Sequence, residues 1–295
     1  MEYIPAKSIV NRTKDPSWFG SDYTMNIYRG CCHGCIYCDS RSDCYHTAPF
    51  DQVRAKADAL RIIRDDLESK AKTGVVATGS MSDPYNPFEK DLLLTRHALT
   101  LLESYGFGTA IATKSDLIVR DADVLASINR TMPAICKVTL TTCDDELAAK
   151  VEPRAPSPSR RLAAVERLSA AGLFTGILMM PVLPFLEDTL ENVLGIVERA
   201  AEAGAKFIYP AFGMTLRQNQ REYYLKKLEE LFPGQGLAAR YQRQYGMSYE
   251  CASPQAGKLW KAFSQACDRA GILYQMFDIV KAIHLGYEEE QLAFF

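Results

Sequence analysis

Short apolar runs alternate with longer amphipathic stretches along most of the chain. The short runs are rich in β-branched or aromatic residues and are bounded by Gly, Pro or Asp, which is typical of buried strands. The longer stretches repeat apolar residues every three to four positions, as amphipathic helices do. The predicted strands are Gly74–Thr78, Gly108–Thr113, Ile135–Thr141, Thr175–Met180 and Phe207–Ala211, and the predicted helices are Asp51–Lys72, Leu92–Ser104, Asp121–Asn129, Ser157–Ala171, Thr189–Ala203 and Arg217–Leu231.

This order of elements predicts the fold class. A strand followed by a helix, repeated about six times, indicates parallel βα units with right-handed crossovers. The fold class is therefore α/β, and the pattern is compatible with an open sheet or with a full or partial barrel. In each of these folds the reactive groups lie at the carboxyl ends of the strands.

Composition and charge narrow the function classes. The chain has 295 residues, of which 47% are hydrophobic and 24% charged, as expected for a globular protein with a sizeable core. The amino terminus lacks the features of a signal peptide and the chain has no membrane-length apolar run, so we expect a cytoplasmic protein without a membrane partner. A net charge of −2 means that any contact with nucleic acid needs a local basic patch.

Four of the nine cysteines lie between residues 31 and 38. In a chain expected to be cytoplasmic, cysteines act as ligands or reactive thiols more often than as disulfides. The spacing Cys31-x3-Cys35-x2-Cys38 predicts three thiolates in one loop, and an iron–sulfur cube held by three cysteines leaves one iron open to a small chelating molecule. S-adenosylmethionine (SAM) offers an amino and a carboxylate group for that purpose.

A zinc site is the alternative interpretation of this loop. The cysteines would then be joined by His33, His46 or Cys44, because zinc binds thiolate and imidazole ligands well. Structural zinc sites usually show two separated ligand pairs, which favours the iron–sulfur interpretation here.

Four segments resemble a known family. The cysteine motif, with Tyr37 just before its last cysteine, resembles that of the radical SAM superfamily. NIYRGCCHGCIYC, SMSDPYNPFEKDLLLTRHAL, IATKSDLIVRD and VEPRAPSPSRRLAAVERLSAAG are similar to segments of the spore photoproduct lyase-like family, over most of residues 20–210. The resemblance implies a [4Fe–4S] cluster on Cys31, Cys35 and Cys38 that cleaves SAM reductively, giving a 5′-deoxyadenosyl radical that abstracts hydrogen from a substrate.

The resemblance also implies an architecture and an electron source. The fold would be a partial (β/α)6 TIM barrel of the radical SAM type with a mostly helical C-terminal cap. Residues 1–232 would form the barrel with an N-terminal extension, and residues 233–295 a helical extension packed on the barrel. An electron donor such as flavodoxin or ferredoxin would reduce the cluster.

Matching positions in the family imply which residues bind SAM. Aromatic, acidic, hydroxyl and basic side chains would contact adenine, the amino group, the ribose and the carboxylate. These residues are Tyr37 at the adenine, Ser80, Ser82 and Asp83 at the amino group, Thr139 and Thr141 at the ribose, Lys114 and Arg154 at the carboxylate, and Glu152, which matches the family motif. Loop packing, helix capping and ordinary ion pairs are the alternative roles for these side chains.

One segment departs from the family pattern. Spore photoproduct lyases carry a hydrogen-donating cysteine just before the Ser-Asp pair after the second strand, whereas this chain has Gly79-Ser80-Met81-Ser82. Repair of the spore thymine lesion by that mechanism is therefore in doubt. Cys143 and Cys251 are the alternative hydrogen donors.

The substrate and further partners are predicted more coarsely. The resemblance implies DNA or a nucleotide-like substrate, for repair or modification. The terminal peptide Gln291–Phe295 resembles the motif by which bacterial repair proteins dock on the sliding clamp, although such a tail can also pack on its own domain. Radical modification of a peptide or small metabolite, or a non-catalytic iron–sulfur protein associated with the clamp, are the alternatives.

Overall fold

A computed structural model describes residues 1–47 and 49–287. Its elements alternate as the apolar pattern predicts. The strands are β1 Glu2–Ile4, β2 Val10–Arg12, β3 Tyr23–Met25, β4 Tyr28–Arg29, β5 Arg54–Lys56, β6 Val75–Thr78, β7 Gly108–Thr113, β8 Ala134–Thr139, β9 Phe174–Met179, β10 Phe207–Pro210, β11 Gly213–Thr215 and β12 Glu250–Ala252. The helices are α1 Ala59–Glu68, α2 Glu89–Leu92, α3 Leu94–Ser104, α4 Ala122–Ile128, α5 Asp145–Val151, α6 Pro158–Ala170, α7 Leu190–Glu202, α8 Gln220–Leu231, α9 Leu237–Tyr245, α10 Ala256–Ala270 and α11 Met276–His284.

The main sheet has seven strands in the order β10-β9-β8-β7-β6-β3-β2. Its first six strands pair in parallel, and β2 joins β3 antiparallel at one edge. Apart from the small sheet of β1, β5 and β4, the parallel strands therefore follow chain order with helices between them. This arrangement confirms the predicted α/β class, and six parallel strands are the number expected for a (β/α)6 partial barrel.

The two faces of the main sheet pack against different partners because alternate strand residues point to opposite faces. Cys136 and Val138 of β8 belong to the core that includes apolar residues of α3, α6 and α7. Ile135 of β8 faces the barrel interior, where it packs with Phe19 and Phe207. Residues of α11 belong to the same inner cluster, so the interior is filled near the amino ends of the strands and the carboxyl ends are left for chemistry.

The predicted helix Asp51–Lys72 is wrong in its first part. Residues Arg54–Lys56 form β5, which pairs with β1 and β4, and the helix itself covers only Ala59–Glu68. Val53 belongs to the predicted helical repeat but lies just before β5, where it is buried, and Ala55 is buried within β5 by this pairing. Tertiary packing therefore overrides the local apolar spacing.

Residues beyond 233 contact the barrel at several places. β12 pairs antiparallel with β11, and α10 packs against α7. Leu273 forms an isolated parallel bridge with Phe207 at the start of β10. The boundary at residue 232 stays a prediction, and the clamp-like peptide Gln291–Phe295 lies outside the described residues. No described helix has both the length and the apolar character needed to cross a bilayer.

Candidate active site

The cysteine loop follows β4 and is fixed by its backbone. Gly30 adopts a φ of +79°, and a Cβ at this position would overlap the carbonyl oxygen of Gln52. The amide of Cys31 donates to the carbonyl of Phe50, and the amide of Ile36 donates to that of Val151, both at 2.9 Å. The loop is thus held at both ends before any ligand is considered.

Cys31, Cys35 and Cys38 line one small cavity of about 120 Å³, which we call the cysteine cavity. The carboxyl ends of β6, β7 and β8 form the rest of its wall. The other lining residues are His33, Ser40, Gly79, Ser80, Met81, Ser82, Asp83, Ala112, Thr113, Lys114 and Thr139. Eight of the predicted site residues therefore meet here: the three cysteines, Ser80, Ser82, Asp83, Lys114 and Thr139.

The donor set of this cavity fits an iron–sulfur cluster. Burial raises the pKa of the Cys31 thiol to about 12 and also raises the pKa values of Cys35 and Cys38. Thiols in such a place ionise only beside a strong positive charge, and a coordinating metal supplies one. No described group of three His, Cys, Asp or Glu side chains is placed to hold one metal ion. A cube differs from such a site because each thiolate binds its own iron.

Asp83 is held by three hydrogen-bond donors and lies against His33. Its carboxylate accepts hydrogen bonds from the Thr113 hydroxyl at 2.6 Å, the Lys114 amide at 2.8 Å and the Tyr85 amide at 2.9 Å. Nε2 of His33 lies 3.0 Å from Oδ2, the oxygen that also accepts from the Lys114 amide. Burial alone would raise the pKa of Asp83, but His33 and the hydrogen bonds outweigh it and lower the pKa to about 2. Asp83 thus joins the cysteine loop to the end of β7.

The segment after β6 presents one open hydroxyl to the cysteine cavity. Gly79 has a φ of +97°, and a Cβ there would overlap the carbonyl oxygen of Ala112, so the chain passes directly against β7. Ser82 donates to the Tyr28 carbonyl at 2.9 Å and is buried. Ser80 is exposed and lines both the cysteine cavity and the next one.

Glu152 lies behind the cysteine loop in a network of paired charges. Its carboxylate accepts hydrogen bonds from the Tyr37 hydroxyl and from the buried Arg161 guanidinium. Nζ of Lys114 lies 3.9 Å from the Glu152 carboxylate and 5.5 Å from the centre of the Tyr37 ring. Burial alone would raise the pKa of Glu152, but Arg161 and Lys114 outweigh it and lower the pKa. These contacts make Glu152 a positioning residue for Tyr37 and Lys114.

A second cavity of about 520 Å³ adjoins the cysteine cavity, and we call it the apolar cavity. Tyr37, Met180, Phe212 and Met214 contribute to its wall. The two cavities have Cys38, Ser40, Ser80 and Lys114 in common.

Cys251 on β12 also belongs to the wall of the apolar cavity, but its side chain is fully buried. Burial raises the pKa of this thiol to about 11. Its S–H group therefore stays protonated at neutral pH.

Besides Glu152, three predicted residues line neither cavity. Thr141 is buried and donates to Glu187 at 2.9 Å, and burial raises the pKa of Glu187 to about 8. Cys143 packs at the edge of the outer core. Nε of Arg154 donates to the Cys32 carbonyl at 2.6 Å, on the other side of the cysteine loop.

Arg154 instead lines a cleft of about 670 Å³, which we call the basic cleft. His33 lines both this cleft and the cysteine cavity. Asp116 is an acidic member of its wall, and the basic members are Lys90, Arg120, Arg154, Arg160 and Arg167. A chain with a net charge of −2 thus has a local basic surface next to its cysteine loop.

Comparison with known proteins decides the family. The model of the Radical SAM superfamily matches residues 25–197. The chain belongs to the radical SAM superfamily. An uncharacterized protein of Mycobacterium tuberculosis is 32% identical over 249 residues, covering 82% of this chain and 72% of that protein. An uncharacterized protein of Methanocaldococcus jannaschii is 31% identical over 194 residues, covering 65% of this chain and 71% of that protein.

Solved structures of radical SAM enzymes share the fold. A mutant spore photoproduct lyase matches with a TM-score of 0.66 and 14% identity, over 92% of this chain and 81% of that one. Another mutant of that lyase, with bound AdoMet and dinucleoside spore photoproduct, matches with a TM-score of 0.65 and 13% identity, over 90% of this chain and 79% of that one. The methyltransferase TsrM from Kitasatospora setae, with tryptophan and a SAM analog bound, matches with a TM-score of 0.54 and 13% identity, over 90% of this chain and 58% of that one. At these identities the likeness is one of fold.

Membership of the radical SAM superfamily settles the cofactors. Enzymes of this superfamily use a [4Fe–4S] cluster and SAM, and the predicted cofactors are thereby confirmed. The zinc interpretation is set aside. Which residues contact SAM stays a prediction.

Arg161, Glu187 and Lys137 were not predicted from the sequence, and His33 was named only as an alternative zinc ligand. Arg161 pairs with Glu152, His33 with Asp83, and Glu187 receives the Thr141 hydrogen bond. Lys137 is buried in the centre of β8. A charged residue inside an otherwise apolar strand was a usable signal for Lys137, whereas the other three lie in segments with ordinary polar patterns.

Proposed function

We propose that this radical SAM enzyme cleaves SAM in the cysteine cavity and acts on a nucleic acid or nucleotide-like substrate held in the apolar cavity. The observation that carries the proposal is that the two cavities share Cys38, Ser40, Ser80 and Lys114. Bound there, the cluster and SAM would together supply a carbon-centred radical for hydrogen abstraction. The shared wall would give that radical a short path to a substrate.

The residues of the chain would bind and orient the reactants. Tyr37, fixed by Glu152, offers an aromatic face to adenine, and Lys114 offers a cation to a carboxylate. Ser80 offers a hydroxyl to the amino group. The fixed carboxylate of Asp83 would keep the strand ends in place while the reactants bind and leave.

Two features support a nucleotide-like substrate. The apolar cavity of about 520 Å³ is of the size that proteins use for ligands as large as a nucleoside. The basic cleft offers exposed guanidinium groups, among them Arg154 and Arg160, to a phosphate backbone. The structural relative with a bound dinucleoside lesion is consistent with this substrate class.

Two partners complete the proposal. One is an electron donor of the flavodoxin or ferredoxin class, and the other is a sliding clamp on which Gln291–Phe295 would dock.

Formation of 5′-deoxyadenosine tests the SAM cleavage. The cluster-reconstituted protein should form it anaerobically when dithionite and SAM are added, and Cys35→Ala should abolish it because the variant loses a cluster ligand. Cys32→Ala is the matched control, since this thiol is in the same loop but does not line the cysteine cavity. Equal product from Cys35→Ala and the unchanged protein would refute the ligand assignment. No product from a protein with a full cluster would refute the cleavage.

The substrate class needs a second measurement. We expect a lesion-containing oligonucleotide to bind and to change the rate of 5′-deoxyadenosine formation, while an undamaged oligonucleotide and an unrelated peptide serve as comparisons. If no oligonucleotide binds or changes the rate, the nucleic-acid proposal fails. Modification of a peptide or small metabolite then becomes the better explanation, as the tryptophan bound to TsrM illustrates for that enzyme.

A further inference from the structure

Lys137 is a buried lysine in the interior of the barrel. β8 places Ile135, Lys137 and Thr139 on the inner face of the sheet, because alternate residues of a strand share a face. Thr139 lines the cysteine cavity and Ile135 belongs to the inner apolar cluster. Lys137 therefore lies one step deeper than the wall of the cysteine cavity, and only 2% of it is exposed.

The strands on both sides place small residues beside this lysine. In the register of the sheet, Lys137 is level with Ala112 of β7 and Gly176 of β9. Ala112 is only partly buried and lines the cysteine cavity. A Cβ on Gly176 would lie 2.5 Å from the Phe207 ring, so a larger side chain does not fit there. On the β7 side Lys137 is therefore adjacent to a residue of the cysteine cavity, and on the β9 side it is adjacent to the inner apolar cluster.

Among the described residues, no anionic group balances the charge of this lysine. Nζ lies 4.5 Å from the centre of the Phe19 ring, and among residues 1–47 and 49–287 it has neither a hydrogen bond nor a carboxylate partner. Burial accordingly lowers the pKa of Lys137 to about 7. A buried ammonium without an anion is unfavourable, whereas a methionine would fill the same space at no electrostatic cost. This placement suits a lysine whose anion arrives with a ligand.

We propose that Lys137 binds an anionic group of the substrate, a carboxylate or a phosphate, which enters the barrel interior beside the cysteine cavity. The inference rests on the proposed function, because it takes the substrate of the radical to be held in this interior. It adds that the substrate is anionic at the end that enters. An ammonium accepts either anion as a point charge, so the shared chemistry is one negative group within reach of Nζ.

Trp18 offers a direct readout of this site. Its ring centre lies 5.1 Å from that of Phe19, the ring that Nζ contacts. The chain has two tryptophans, so Trp260→Phe leaves Trp18 as the only one. The Trp260→Phe holoprotein would be titrated at about pH 6 with acetate or inorganic phosphate, against sodium chloride of equal ionic strength.

We expect a saturable change of Trp18 fluorescence. In Lys137→Met the anion concentration that gives half of this change should be at least about tenfold higher. Lys206→Met is the matched control, since it removes an exposed lysine just before β10 and should leave the titration unchanged. A response to acetate alone would indicate a carboxylate, and a response to phosphate alone a phosphate. Cluster absorbance and thermal unfolding would show that Lys137→Met is folded.

Two results would overturn the inference. One is an equal response from Lys137→Met, and the other is no saturable response to either anion in the protein that retains Lys137. Formation of 5′-deoxyadenosine by the same Trp260→Phe preparation reports separately on the proposed function. Product without an anion response refutes only the role of Lys137, whereas an anion response without product refutes the SAM cleavage and leaves the anion site standing.

Discussion

Two lysines inside the same barrel are in opposite electrostatic settings. Lys114, just beyond the end of β7, has Glu152 at 3.9 Å, and Glu152 in turn is paired with Arg161. Lys137, in the middle of β8, has the face of Phe19 at 4.5 Å and no carboxylate partner within the part of the chain that the structure describes. The difference shows that burial alone does not set the role of a lysine: the charge of Lys114 belongs to a network, whereas the charge of Lys137 has no anionic partner among the described residues.

Removing the Glu152 carboxylate should disrupt the charge network around Lys114 and destabilise the fold. Glu152→Gln leaves the buried Arg161 guanidinium without its anion, which typically costs about 3–5 kcal/mol of unfolding free energy. Urea unfolding of the metal-free protein would measure this loss. Glu166→Gln changes an exposed carboxylate on α6, the helix that carries Arg161, and should have little effect. Equal stability of the two variants would mean that the Glu152 network does not stabilise the fold.

Removing the charge of Lys137 should change the free energy of unfolding in the opposite direction. Lys137→Met is expected to increase the free energy of unfolding at neutral pH by about 1–3 kcal/mol, because an uncompensated buried ammonium is lost. The folded pKa of about 7 lies below the usual lysine value of 10.5, so the unfolded chain binds more protons between them. The stability of the unchanged protein should therefore rise with pH across this window, and its difference from Lys137→Met should shrink. A variant less stable than the parent at pH 7 would contradict this setting for Lys137.

The smallest change concerns the aromatic member of the network. Tyr37→Phe removes the hydroxyl that donates to Glu152 but leaves Arg161 in place, so we expect a loss of about 0.5–1.5 kcal/mol. Thermal unfolding beside Tyr105→Phe, an exposed pair with Glu68, would provide the scale. A loss as large as that of Glu152→Gln would show that Tyr37 is indispensable to the network.

The parallel sheet was largely predictable from the sequence. The strand Gly108–Thr113 was predicted with its observed bounds, and the other four differ by one or two residues at one or both ends. Buried parallel strands are continuous apolar runs, so their signal is strong. The short strands β1 to β5 were not predicted, because three-residue pairings depend on partners that are distant in the chain.

The candidate site was predictable where chemistry depends on spacing. Cys31, Cys35 and Cys38 are close in the chain and meet in one cavity. The contacts of Arg154 and Thr141 depend on how a helix and a loop pack on the barrel, and these side chains turn to Cys32 and Glu187. The buried pairing of Glu152 with Arg161 could not be predicted from the sequence, because both residues lie in a charged segment whose pattern is typical of a solvent-exposed surface.

The contact between Gly79 and β7 limits how this enzyme can vary in evolution. A side chain of any size at position 79 would collide with the backbone of Ala112, so that position is closed to a new functional group. Ser80, the next residue, opens into both cavities. Exchange of a single oxygen for sulfur at that residue would put a thiol, a group able to donate hydrogen to a radical, on the wall of both cavities without moving the backbone. A change of reaction outcome is therefore one substitution away, while the scaffold that holds the cofactors stays constant.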